Sequence, residues 1–193
     1  MNRTQKPLLI AFLGSIGVGK SYFAKQLAPR IGAVRLSADA ARLGMFGSIE
    51  ALKSQPESHG LDNNKRLFGV IDYAVGEILS SGVSVIYDTA RYNGADNRRE
   101  LKRIADAHDA HLVYVWIDTP RDIVRERVMN REETADQRRL DETATNRILA
   151  FHDEHFNPPN GDEMVIKING QDEFEDQYKD FSVQLEQGVA ANE

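Results

Sequence analysis

Gly14-Ser15-Ile16-Gly17-Val18-Gly19-Lys20-Ser21 decides the reading of this chain. The stretch fits the phosphate-binding loop pattern, in which two spaced glycines are followed by Lys and Ser. Gly14, Gly17 and Gly19 can take backbone angles closed to other residues, so successive N–H groups can turn inward around an anion. Lys20 can reach the β- and γ-phosphates of a nucleotide, and the Ser21 hydroxyl can ligate the Mg²⁺ that accompanies them. The context agrees. Residues 7–13 (PLLIAFL) read as a buried strand entering the loop, and residues 21–28 (SYFAKQLA) read as a helix leaving it, whose N-terminus favours negative charge. Ser15, Ile16, Val18 and Tyr22 belong to the same candidate cofactor-binding stretch. The pattern implies a nucleotide-binding protein.

Outward from the loop, 193 residues suffice for one buried α/β core with a small lid but not for two full domains. One domain over 1–193 is expected. No apolar run is long enough to span a bilayer, and residues 1–30 do not read as a signal peptide. The chain has no cysteine, which excludes disulfides and thiolate metal sites. A cytoplasmic protein follows as the expectation. The net charge of −6 argues against an avid nucleic-acid binder, although arginines gather at 121, 125, 127, 131, 138 and 139.

Apolar patterning continues the alternation of strands and helices. Short strands are expected at 33–36, 83–88, 111–117 and 164–168, with helices at 65–80, 95–108, 121–129, 138–152 and 172–187. Residues 44–64, rich in breakers, read as a loop with one short helix on the substrate side. Residues 130–137 read as exposed and mobile, and residues 1–5 and 188–193 as frayed. Thr119 and Pro120 are placed as N-cap and first residue of a helix. The expected architecture is a parallel sheet with helices on both faces, its ligands beyond the carboxyl ends of the strands. Asp39, Asp88 and Asp118 follow or end strands there.

Asp88, closing an apolar strand, has the placement of an acid that orients Mg²⁺, the alternative being a turn cap. Asp39 could accept the proton of an incoming hydroxyl, or cap a short helix. Asp118 reads mainly as a cap. Arg127 and Arg131, one helical turn apart before the lid, could neutralise a transferring phosphoryl group. Arg42, one turn after Asp39, and Arg91, just past Asp88, are candidate contacts to an acceptor; Arg138 and Arg139 are lid candidates. His152 with His155, and His108 with His111, have spacings a metal could use, but neither pair has a visible third ligand.

At these residues the chain resembles the small P-loop kinases related to polynucleotide 5′-hydroxyl kinases and the zeta-toxin-like kinases, a group of AAA-type ATP-binding kinases. The resemblance spans residues 8–168. It is carried by GSIGVGKS, by Asp39-Ala40-Ala41-Arg42, by Val85-Ile86-Tyr87-Asp88-Thr89 with Asn93 nearby, and by Arg127-Val128-Met129-Asn130-Arg131 before a lid. It implies a P-loop NTPase fold with a five-stranded parallel sheet and a short helical lid near 127–142. It further implies ATP with Mg²⁺, Lys20 and Asp39 as catalytic residues with Asp39 the general base, and Arg42 as an acceptor contact. Arg127 and Arg131 would act on the phosphates, and Ser21 and Asp88 on the metal. The acceptor stays open between a nucleic-acid 5′ end and a small metabolite or nucleoside. A nucleotide-dependent regulatory switch is the alternative of a different class. The oligomeric state is not addressed by the sequence.

Overall fold

The computed structural model describes residues 6–134 and 139–190. Its centre is β1 (Leu8–Leu13), whose side chains alternate between two cores. Ile10 and Phe12 point to one face of the sheet and Leu9, Ala11 and Leu13 to the other, and all five are fully buried. This two-sided burial makes the strand read as continuously apolar, as expected where helices cover both faces of a parallel sheet.

The remaining strands are β2 (Val34–Ser37), β3 (Val85–Asp88), β4 (His111–Asp118) and β5 (Val165–Asn169), and all pairings are parallel in the order β2-β3-β1-β4-β5. The five-stranded parallel sheet with helices on both faces expected from the sequence is present. On one face, Phe23 of α1 (Lys20–Ile31) meets Phe174 and Phe181, with ring centroids 5.7 and 5.8 Å away. The latter two belong to α8 (Phe174–Ala190). Val124 and Val128 of α6 (Arg121–Asn130) and Leu149 of α7 (Glu142–His155) extend the same core. The opposite core takes Leu67, Ile71, Val75 and Leu79 from α4 (Leu61–Ser80) and Leu101 and Ala105 from α5 (Ala95–Ala107).

Several expected boundaries move. Residues 44–64 hold the end of α2 (Ala38–Phe46), all of α3 (Ile49–Ser54), a 3₁₀ turn at Pro56–His59 and the first turn of α4. Local capping explains much of this order, since the Ser37 and Ser48 side chains accept from the N–H groups of Ala40 and Ala51. Ser37, rather than Asp39, caps α2. Thr119 does not cap α6. Pro120 holds the N-cap position without a side-chain bond, and the Thr119 hydroxyl donates instead to Val18 O at 2.8 Å. The hydroxyl thereby ties the start of α6 to the phosphate loop instead of capping the helix. α7 begins at Glu142, capped by Asp141, rather than at 138. The expected mobile stretch and Arg138 fall partly or wholly on 135–138, outside the described residues, as do 1–5 and 191–193 of the expected frayed ends; residues 188–190, expected to fray, instead continue α8 to Ala190. Among the described residues, no helix is long and apolar enough to cross a membrane.

Candidate active site

The chain leaves β1 into the loop with φ values of +120°, +82° and +115° at Gly14, Gly17 and Gly19, a region closed to ordinary side chains. Gly17 has a second reason: a Cβ there would stand 3.0 Å from Val124 O and 2.6 Å from a Val128 methyl, so α6 presses against the loop. Gly19 is the N-cap of α1 and makes no side-chain cap bond, leaving the first N–H groups of that helix for an anion. From the segment after β3, Asn93 clamps both backbone groups of Gly14. Its Oδ1 accepts from Gly14 N at 2.9 Å, and its Nδ2 donates to Gly14 O at 3.1 Å.

Lys20 lies buried under the loop and donates to Gly14 O at 2.9 Å and Ser15 O at 2.5 Å. Burial pushes its ammonium down to about 8, against the opposing pull of Asp88 and Asp39, while Arg131 adds to the depression. Lys20 thus lies within electrostatic reach of three residues from three other elements.

The buried Asp88 carboxylate accepts from Ser21 Oγ at 3.1 Å through Oδ1 and from Arg35 Nε and Nη2 at 3.0 and 2.5 Å through Oδ2. Asp88 is therefore not a turn cap. Ser21 and Asp88 form a hard-oxygen pair of the kind that could hold Mg²⁺. Arg35, on the edge strand β2, is the residue that sequence reasoning missed here. Only the pairing of Ser37 with Asp88 across β2 and β3 brings it near, and no local pattern announces it.

A cleft of about 1310 Å³ opens in front of the loop. Ser15, Ile16, Gly17, Gly19, Lys20, Ser21 and Tyr22 line it together with Asp39, Asp88, Arg91, Arg127 and Arg131. Gly14 and Val18 face a smaller cavity of about 150 Å³ behind the loop, and Asp118 joins them there instead of reaching the cleft edge. Arg42 also lies off the cleft. It is buried, donating to Ser58 O at 3.2 Å and Asn64 Oδ1 at 2.8 Å, so in this conformation it ties α2 to the 3₁₀ turn and α4. Arg91 lines the cleft but is engaged by Asp72 at 3.1 Å and Glu100 at 2.8 Å, with its guanidinium over the Phe68 ring. Asp72 also accepts from the Tyr87 hydroxyl at 2.8 Å, and burial pushes the Tyr87 and Tyr92 phenols up, so both remain protonated. Of the other arginines, Arg121 pairs with Asp153 and Arg125 bonds Asn146.

Two further walls escaped the sequence. The turn after β5 brings Gly170 and Glu173 to the cleft, with Gly170 N donating to Asp118 O at 2.7 Å. α7 contributes Arg147, Phe151, His152 and His155. Burial, with Lys20 and Arg121 adding to it, lowers the His152 pKa. Among the described residues no group of three His, Cys, Asp or Glu could hold a metal, so neither histidine pair builds such a site.

A family model for the AAA domain matches residues 9–155. The chain belongs to the AAA domain family. Its fold is similar to that of a gluconokinase from Sinorhizobium meliloti 1021 (TM-score 0.66, 19% identity, 97% of this chain and 96% of that one). It is also similar to a sugar kinase from Janibacter sp. HTCC2649 (0.64, 16%, 93% and 95%) and to shikimate kinase from Aquifex aeolicus VF5 (0.60, 16%, 94% and 98%). No curated protein sequence matches the chain. The finer likeness to polynucleotide and zeta-toxin-like kinases is not carried by these neighbours, which bear the names of metabolite kinases.

Proposed function

We propose that this AAA-domain protein is an ATP-dependent kinase that phosphorylates a hydroxyl group of a small metabolite. The observation that carries the reading is the presence in one cleft of a phosphate loop, a carboxylate and two lid-side arginines, with Lys20 in electrostatic reach of both Asp39 and Arg131. A nucleotide-binding switch has no use for an exposed carboxylate in the cleft that the phosphate loop lines. The metabolite kinases among the structural neighbours and the net charge of −6 favour a small acceptor, and nothing in the site favours a nucleic-acid end. The cytoplasm fits a protein that draws on ATP.

In this reading the loop N–H groups and the α1 N-terminus hold the β- and γ-phosphates, and Lys20 swings from Gly14 O and Ser15 O to bridge them. Ser21 and Asp88 would hold Mg²⁺, which neutralises phosphate charge and fixes the phosphate geometry. Asp39 accepts the proton of the acceptor hydroxyl as its oxygen forms the new bond to the γ-phosphorus. The bond to the β–γ bridging oxygen breaks and ADP departs. Arg127 and Arg131 neutralise charge on the moving phosphoryl and, with the lid of roughly 127–142, keep water out.

The test is transfer of labelled γ-phosphate from ATP to a panel of small alcohols and to a 5′-hydroxyl oligonucleotide. Label should enter a small alcohol with wild type and with neither Lys20→Ala nor Asp39→Ala, and ATP affinity should survive in Asp39→Ala alone. Label in the oligonucleotide only would overturn the choice of acceptor; near-normal turnover by Asp39→Ala would remove the base.

A further inference from the structure

The wall of the cleft contributed by α7 has chemistry that phosphate binding does not use. Phe151 and His155, one turn apart, stack with ring centroids 4.0 Å apart and planes 18° from parallel. His155 is held in that pose by an Nδ1 bond to Phe151 O at 2.9 Å. One face of the Phe151 ring is therefore covered by His155, yet the residue is 61% exposed, so the other face is open to the cleft. A phenylalanine exposed in a pocket wall and braced from behind is a flat apolar platform.

The platform is fixed in the cleft by the chain that leaves its helix. Just past α7, Asn157 N donates to Asn93 O at 3.0 Å and Asn157 Oδ1 accepts from Ala95 N at 3.3 Å. The buried Arg98 completes the joint, donating to Asn157 O, Pro158 O, Tyr92 O and Asn93 O and pairing with Glu163 at 2.7 Å. The last turns of α7 thus stand against the segment after β3, whose Arg91, Asn93, Gly94 and Asn97 line the same cleft as Phe151 and Asp39, while Phe156 packs on Trp116 of β4 with ring centroids 5.2 Å apart. The phosphate loop and the Gly170–Glu173 turn line the same cleft.

We infer that Phe151, backed by His155, is the seat of the acceptor, and that the acceptor is a cyclic alcohol lying with one ring face flat on Phe151. This deepens the kinase reading proposed above and rests on it. A sugar ring and the base of a nucleoside both present such a face, whereas an open-chain polyol or aldonate does not.

The experiment compares phosphoryl transfer from ATP to D-glucose, D-ribose and adenosine with transfer to D-sorbitol and D-gluconate, for wild type, Phe151→Ala and Phe151→Tyr. A ring acceptor should be preferred, D-glucose or D-ribose marking a sugar seat and adenosine a base seat. Stacking of this kind is worth roughly 5-fold or more in affinity. Phe151→Ala should therefore raise the acceptor KM by at least that factor, with the ATP KM and kcat unchanged, and Phe151→Tyr should restore it. Preference for the open-chain acceptors, or an unchanged acceptor KM in Phe151→Ala, overturns the seat while leaving the kinase standing. A rise in both KM values together makes Phe151 a resting place for the lid and overturns it too. If no alcohol accepts phosphate, protection against thermal unfolding by the same compounds, with a non-hydrolysable ATP analogue bound, separates the two readings. Protection by a ring compound that Phe151→Ala loses supports the seat and sinks only the kinase. No protection sinks both.

Discussion

Replacing Lys20 with methionine should make the protein inactive and more stable at once. Burial lowers the Lys20 pKa from 10.5 to about 8. That difference is about 2.5 units, or roughly 3 kcal/mol by which the folded state disfavours the charged form at neutral pH. Methionine keeps the length of the stem without the charge. The substitution also removes donors to Gly14 O and Ser15 O, but Gly14 O keeps its bond from Asn93 and Ser15 stands at the cleft surface, so the loss is about 1 kcal/mol. The net gain is about 2 kcal/mol, a rise in Tm of about 4–8 °C for a chain of this size.

The sign with pH is fixed by the depressed pKa. Between pH 8 and 10.5 the folded lysine gives up its proton while the unfolded one keeps it, so wild-type stability climbs and the advantage of Lys20→Met shrinks. Thermal and urea unfolding of both proteins from pH 6.5 to 9.5 reads this directly. A variant less stable than wild type at pH 7, or a gap that does not narrow above pH 8, would refute the reasoning.

The same lysine predicts that ATP binding weakens about tenfold per pH unit above 8 and takes up a proton there, which calorimetry in buffers of different ionisation enthalpy would detect. Gly170→Ala should lower stability by about 1–3 kcal/mol and weaken ATP binding, because the added Cβ would collide with Thr119 Oγ1 and stand 2.7 Å from Val18 O; unchanged Tm and Kd would show that the loop yields freely. Arg35→Gln should cost about 2 kcal/mol by leaving the buried Asp88 carboxylate with Ser21 alone, and added Mg²⁺ should recover part of that loss in a thermal melt. A melt indifferent to Mg²⁺ would remove Asp88 from the metal site. Asn93→Leu should raise the ATP Kd through a loosened loop, since it removes both bonds to Gly14; an unchanged Kd would show that the loop keeps its shape without them.

What the sequence determined by itself was local. A phosphate loop needs its glycines, lysine and serine within eight consecutive positions, and strand ends are marked by where an apolar run meets a carboxylate, so the loop, the α/β class and Asp88 are legible in the string. The helical and strand periods placed nearly every element to within a few residues, missing chiefly α2 and the start of α4, where a serine cap and a 3₁₀ turn organise a stretch poor in apolar period, and leaving the short helix of 44–64, which is α3, without bounds. The structure alone decided which neighbours in sequence share a fate. Asp39 and Arg42 sit one turn apart on α2, yet the helix turns the first to the cleft and buries the second against α4. It also decided the partners that lie far along the chain: Arg35 with Asp88, Asn93 with Gly14, Gly170 against Val18, and the Arg98 joint that ties the chain after α7 to the segment after β3. These contacts follow from strand order and helix packing, which are set by burying two apolar cores at once, and no window of sequence contains that sum.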